Sequence, residues 1–160
     1  MKKLGLLLLF QLVALGIFAQ DAGLSKTKFV IGASVPELLH AGVGFDLTTY
    51  NQLGFTVGVG PTMGGVWPAL SAEHRLYFGN VQASTNRRKL FFRQGATYFT
   101  EGEEGAGVLS LGIDLKSKKA NRGWTIDAGY FLLFPRTKDR YRDSFPALRF
   151  QYFSYFKKHQ

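Results

Sequence analysis

Residues 41–60, AGVGFDLTTYNQLGFTVGVG, decide the fold. From Ala41 every second residue is apolar (Ala41, Val43, Phe45, Leu47), and the alternates Gly42, Gly44, Asp46 and Thr48 are small or polar. A polar turn at Tyr50–Asn51–Gln52 interrupts the pattern, which then resumes. Leu53, Phe55, Val57 and Val59 share one side; Gly54, Thr56, Gly58 and Gly60 share the other. Successive side chains of a strand point to opposite faces of a pleated sheet, so a period of two means β-structure. One face is apolar along its whole length. A soluble sheet buries such a face, whereas a membrane barrel turns it outward and keeps the polar face in its lumen.

The two ends bound the choice. MKKLGLLLLFQLVALGIFAQ carries Lys2 and Lys3, an apolar run from Leu4 to Phe18 and a small-residue site at Ala19. This is the pattern of a secretory signal peptide over residues 1–19, leaving 20–160 as one exported domain. The chain contains no cysteine. Disulfides and thiolate metal sites are thereby excluded, and a hydrogen-bonded framework must hold the domain. Beyond the leader no apolar stretch reaches the roughly 20 residues a spanning helix needs, so entry into a membrane would be by strands. The formal net charge is +9. In an exported chain this excess points to anionic lipid headgroups or lipopolysaccharide phosphates rather than to nucleic acid.

Taken in order, the alternation predicts eight strands. They are Lys28–Val35, the two halves of the opening hairpin, Ala69–Phe78, Lys89–Thr100, Gly107–Lys116, Trp124–Phe134 and Leu148–Phe156. Pro61–Pro68, Glu101–Gly105 and Pro135–Pro146 read as loops from their Gly, Pro and charge content. Neighbour-to-neighbour connection of an even number of strands predicts an all-β fold, an eight-stranded antiparallel up-and-down transmembrane β-barrel. Such a barrel also removes the free sheet edges that lipid cannot satisfy.

The placement of charge argues for the inverted version. Asp46, Glu73, Arg75, Arg93, Asp114, Asp127 and Arg149 all carry the parity of the non-apolar face. A charge on the lipid face would cost about 2–4 kcal/mol at mid-bilayer. An eight-stranded barrel is just wide enough for side chains to fill, so these seven are expected to form a polar network that plugs the lumen. His74 and Gln94 are exceptions that fall on the outer face unless a bulge re-aims them.

With the final strand RFQYFSYF, residues 149–156, the mature chain resembles the small OmpA/OmpX-like outer-membrane β-barrels of diderm bacteria. Leu148, Phe150, Tyr152 and Phe156 are similar to the terminal aromatic pattern read by the barrel-assembly machinery in that family. Ser154 interrupts the row, and Lys157 to Gln160 follow it. The resemblance implies location in the cell outer membrane, a porin-like wall, periplasmic termini and a monomer. It also implies that loops 36–39, 61–68, 101–105 and 135–146 face outside. Fold of this kind does not fix an activity. The expectation is a non-enzymatic protein serving envelope integrity or surface interaction, with outer-membrane lipid and lipopolysaccharide as partners.

Two rival functions have named residues. Ser34, Glu37 and His40 lie within seven positions near the first loop and supply a nucleophile, an acid and a base, the minimum for acyl chemistry on lipid A. A soluble exported barrel binding a small hydrophobic ligand would instead need an apolar lumen. Arg136, Lys138, Arg140 and Arg142 could grip lipopolysaccharide phosphates, with Asp139 and Asp143 as competing local partners. The Gly58-x-Gly60 run has no helix after it and so is no phosphate loop. No metal-ligand spacing is present and no cofactor is called for.

Overall fold

The computed structural model describes residues 27–48, 50–62, 65–78, 90–100, 104–117, 121–134 and 144–156. The expected leader, the Arg136–Arg142 cluster and the tail after Phe156 lie outside the described residues. Eight strands form one closed antiparallel barrel in sequence order, with the last pairing back to the first. They are β1 (Thr27–Ser34), β2 (Leu39–Asp46), β3 (Asn51–Thr62), β4 (Gly65–Phe78), β5 (Leu90–Phe99), β6 (Glu104–Lys116), β7 (Arg122–Phe134) and β8 (Ser144–Tyr155). Closure sets Ile31 against Tyr152 and Ser34 against Arg149, so no strand is left as an edge.

The period-two pattern is realised as an inside-out distribution. Phe45, Leu111 and Ile126 are 37%, 61% and 42% exposed, while Asp114 and Arg149 are 5% and 3% exposed. Outer residues stack across strands: Trp124 lies flat on Phe150, with centroids 4.6 Å apart, and meets Tyr152 edge-on at 5.2 Å. His74 and Gln94 do face outward, in unbroken register with each other. No bulge is needed, because they satisfy one another. Gln94 Nε2 lies 3.1 Å from His74 Nδ1, and His74 Nε2 lies 3.0 Å from Asn51 Oδ1.

Strands run further than turn chemistry suggests. Asn51 and Gln52 belong to β3 rather than to a turn. Glu104 and Gly105 open β6, and Ser144–Pro146 open β8. The expected loop Pro61–Pro68 is mostly a projecting hairpin in which Pro61 faces Val66 and Pro68 faces Val59. Pro is tolerated there for a local reason. Leu38 N–H donates to the Val59 carbonyl, so Val59, and Pro61 two residues on, turn their backbone groups toward β2. But β2 begins at Leu39, opposite Val59, and among the described residues no strand lies beside Pro61 on that side. Pro68 directs its carbonyl to Thr100 N–H, just past the end of β5. Pro146 likewise turns its missing donor toward β1, which ends opposite Arg149. Pro61 and Pro146 therefore sit where a lost N–H costs no ladder bond, and Pro68 sits at the end of the β4–β5 ladder, where it costs at most one. Gly65 closes the hairpin at φ +135°, a conformation unfavourable to residues with a Cβ.

Pro61→Ala should therefore change stability by less than about 0.5 kcal/mol. Val57→Pro, which removes a donor facing β2, should cost about 1–3 kcal/mol, both read from urea unfolding midpoints.

Candidate functional site

The interior is the site, and every strand contributes to it. Glu73 stands at its centre. Its Oε1 lies 2.7 Å from Arg75 Nη2, and its Oε2 lies 2.5 Å from Arg149 Nη1 and 3.4 Å from Arg93 Nη1. Neighbouring strands present Gly54 and Gly95 to this residue, and a Cβ on Gly54 would come within 2.8 Å of Glu73 Cγ. The two glycines clear the space in which one carboxylate gathers three guanidinium groups. Arg149 also donates from Nε to Asp127 Oδ2 at 2.7 Å, and Arg93 Nη2 lies 2.9 Å from Asp127 Oδ1. Ser110 joins them, accepting from Arg93 Nε at 2.9 Å and donating to Asp127 at 2.8 Å.

Toward the end where the chain enters and leaves the barrel, Asp114 accepts from Tyr77 Oη at 2.9 Å and from Thr125 Oγ1 at 2.6 Å. Arg75 Nη2 donates to Gln151 Oε1 at 2.7 Å, and Gln52 donates to Asp46. Lys28 is wholly buried here, 4.0 Å from Asp114 and over the face of Phe153 at 4.7 Å. At the opposite end the interior is apolar: Ala69, Phe99, Ala106, Val108, Phe131 and Ala147 pack together. The lumen thus has three tiers, with an apolar cap over an ionic middle and an aromatic floor holding a lysine.

All seven strand charges singled out from the sequence lie in this interior, and the network has one more cation. Lys28 shares the inward parity of Val30 but opens the predicted strand, where alternation has not yet declared a face. Its inclusion balances four acids with four bases. Tyr77, Gln151 and Thr125 were legible by parity too, yet as neutral residues they gave no charge signal, and Gln52 read as a turn residue with no face.

Ser34, Glu37 and His40 are brought together under the apolar cap. Ser34 Oγ lies 3.4 Å from His40 Nδ1, and Glu37 Oε2 lies 3.5 Å from the same nitrogen. In an acyl-transfer relay the acid holds one ring nitrogen while the other takes the serine proton. Here both partners crowd Nδ1, and Nε2 has no hydrogen-bond partner among the described residues. The Ser34 hydroxyl has its best acceptor, at 2.9 Å, in the Glu37 carbonyl. Ser34 and His40 are 8% and 3% exposed, out of reach of an ester arriving from outside. The geometry is that of a latch. Glu37 folds the β1–β2 connection into the barrel mouth, where its carboxylate also accepts from Ser71. Burial raises the Glu37 carboxyl above its ordinary 4.5.

No family model, curated protein or solved structure matches this chain.

Two predictions follow from the network and the latch. Glu73→Gln leaves three buried guanidinium groups short of an anion and should cost roughly 3–5 kcal/mol in equilibrium unfolding. A double-mutant cycle with Arg149→Met should show strong coupling between the two sites. For Glu37, a raised folded-state value means that the native state binds more protons than the unfolded chain. Its contribution is therefore favourable at low pH and is lost as pH rises above 4.5 through the folded-state value. Glu37→Gln should accordingly be more stable than the parent at pH 8, with the difference vanishing in midpoints measured below pH 4.

Proposed function

We propose that this chain is an outer-membrane β-barrel with a plugged lumen, non-enzymatic, that supports the envelope and meets other molecules through the loops at one end. The observation that carries the reading is the inverted barrel: an apolar outer wall around an interior of balanced ions. In water, an unbroken belt including Leu70, Leu109, Leu111, Leu148 and Phe150, each about half exposed or more, would be a patch far beyond what monomeric soluble proteins tolerate. In hydrocarbon the same belt is the favoured surface, and strands of 8 to 14 residues suit a tilted crossing. A soluble carrier of hydrophobic ligands would keep an open apolar interior, which the ionic tier occupies. The buried latch at Ser34 and His40 speaks against lipid A chemistry.

Fractionation of cells producing the protein tests the reading. The protein should sediment with outer membranes and migrate faster in unheated than in boiled gel samples; recovery in the aqueous periplasmic extract would overturn it. Leu111→Arg, in the middle of the belt, should cost about 2–4 kcal/mol on folding into bilayers. Lipid A acylation should be the same with Ser34→Ala or His40→Ala as with the parent.

A further inference from the structure

Among the described side chains, the outer wall of the eight strands carries one charged residue, Arg122. It opens β7 with the parity of Trp124 and Ile126, and it is exposed. No carboxylate partners it among the described residues. Its setting is unlike the rest of the wall. Ser117 N–H donates to the Arg122 carbonyl at 3.0 Å, closing the β6–β7 turn and bringing residues 117 and 122 side by side. Above them lies a recess of about 540 Å³ bordered by Ile113, Leu115, Ser117, Arg122, Trp124 and Tyr152, all of outward parity. Asp114 borders it too, but its carboxylate is engaged inside the barrel by Tyr77 and Thr125. Lys116, on the same rim, adds a second positive charge over the Tyr155 ring.

The recess is therefore amphipathic along the barrel axis. Its upper wall is aliphatic and aromatic, with Trp124 braced between Phe150 and Tyr152. Its lower lip, at the end holding the chain termini, offers a guanidinium fork and a serine. An arginine fork matches the oxygens of a phosphate, and Trp and Tyr favour the depth where acyl chains give way to headgroups. We propose that this recess binds an anionic phospholipid, with Arg122 gripping its phosphate and the Trp124–Tyr152 wall seating the first part of its acyl chain. The inference rests on the reading of the outer wall as lipid-facing.

The test uses the whole mature barrel in the Trp67→Phe background, where Trp124 is the only tryptophan. It is folded into vesicles containing equal fractions of brominated phosphatidylglycerol or brominated phosphatidylcholine, and Trp124 quenching is compared. Local enrichment of the anionic lipid should be about fivefold, the effect of one basic residue at a charged surface. Arg122→Gln should abolish the preference and Arg122→Lys should restore part of it. Arg88→Gln, which removes the same charge in the β4–β5 connection, should leave it unchanged. Equal quenching by both lipids, or a preference that survives Arg122→Gln, overturns the site. Loss of the preference on adding inorganic phosphate at constant ionic strength assigns the recess to the free anion and overturns the lipid. Absence of quenching by either lipid shows instead that the barrel is not embedded, and both readings fall.

Discussion

The Glu73 carboxylate reaches across the full width of the barrel to Arg149 on the opposite strand. Counted either way around the sheet, β4 and β8 are four strands apart, so this pair and the parallel Arg75–Gln151 bond are diameters. Backbone ladders fix each strand to its neighbours but leave a cylinder free to flatten. Side chains that span the lumen at two levels oppose that flattening. The ions are costly to bury singly and become favourable only as a closed set, in which the Glu73, Asp114 and Asp127 carboxylates and the three guanidinium groups each meet several partners. Such a set demands one register around the whole ring, because a slip of one residue would turn every charge outward.

That requirement explains the glycines and the outer wall together. Large inward groups need vacant neighbours: Gly44 lies against the Lys28 stem, Gly112 against Phe91 and Asp127, Gly123 against Phe153. With polar and bulky groups committed to the interior, the apolar residues have only the exterior left. The molecule is stabilised from the middle outward, and its surface suits a solvent other than water.

The legibility of these features in the sequence follows from their range. The period of two is local, so the faces of β4 to β8 and the seven inward charges could be read residue by residue. Their partners could not. Glu73 and Arg149 are separated by 76 positions, and their meeting depends on closure between β1 and β8, a property of the entire ring. The direction in which Glu37 points was hidden for a similar reason, since a turn residue has no face until the neighbouring strands show which way the turn folds. The Pro61–Pro68 segment misled because proline signals a break only where its missing donor would have had a partner. Whether it would is decided by where adjacent strands stop.

Those prolines have a further consequence. The tip of the β3–β4 hairpin stands clear of β2 and β5 and so bares both flanks of a two-stranded ribbon. Bare flanks are templates onto which another extended chain can zip. Pro61 interrupts the flank on the β2 side where an incoming strand would seek its first hydrogen bond, and Pro68, whose carbonyl is already taken by Thr100, leaves the root of the β5-side flank without a donor. Crowded copies can thus brush ribbon against ribbon without fusing into a shared sheet.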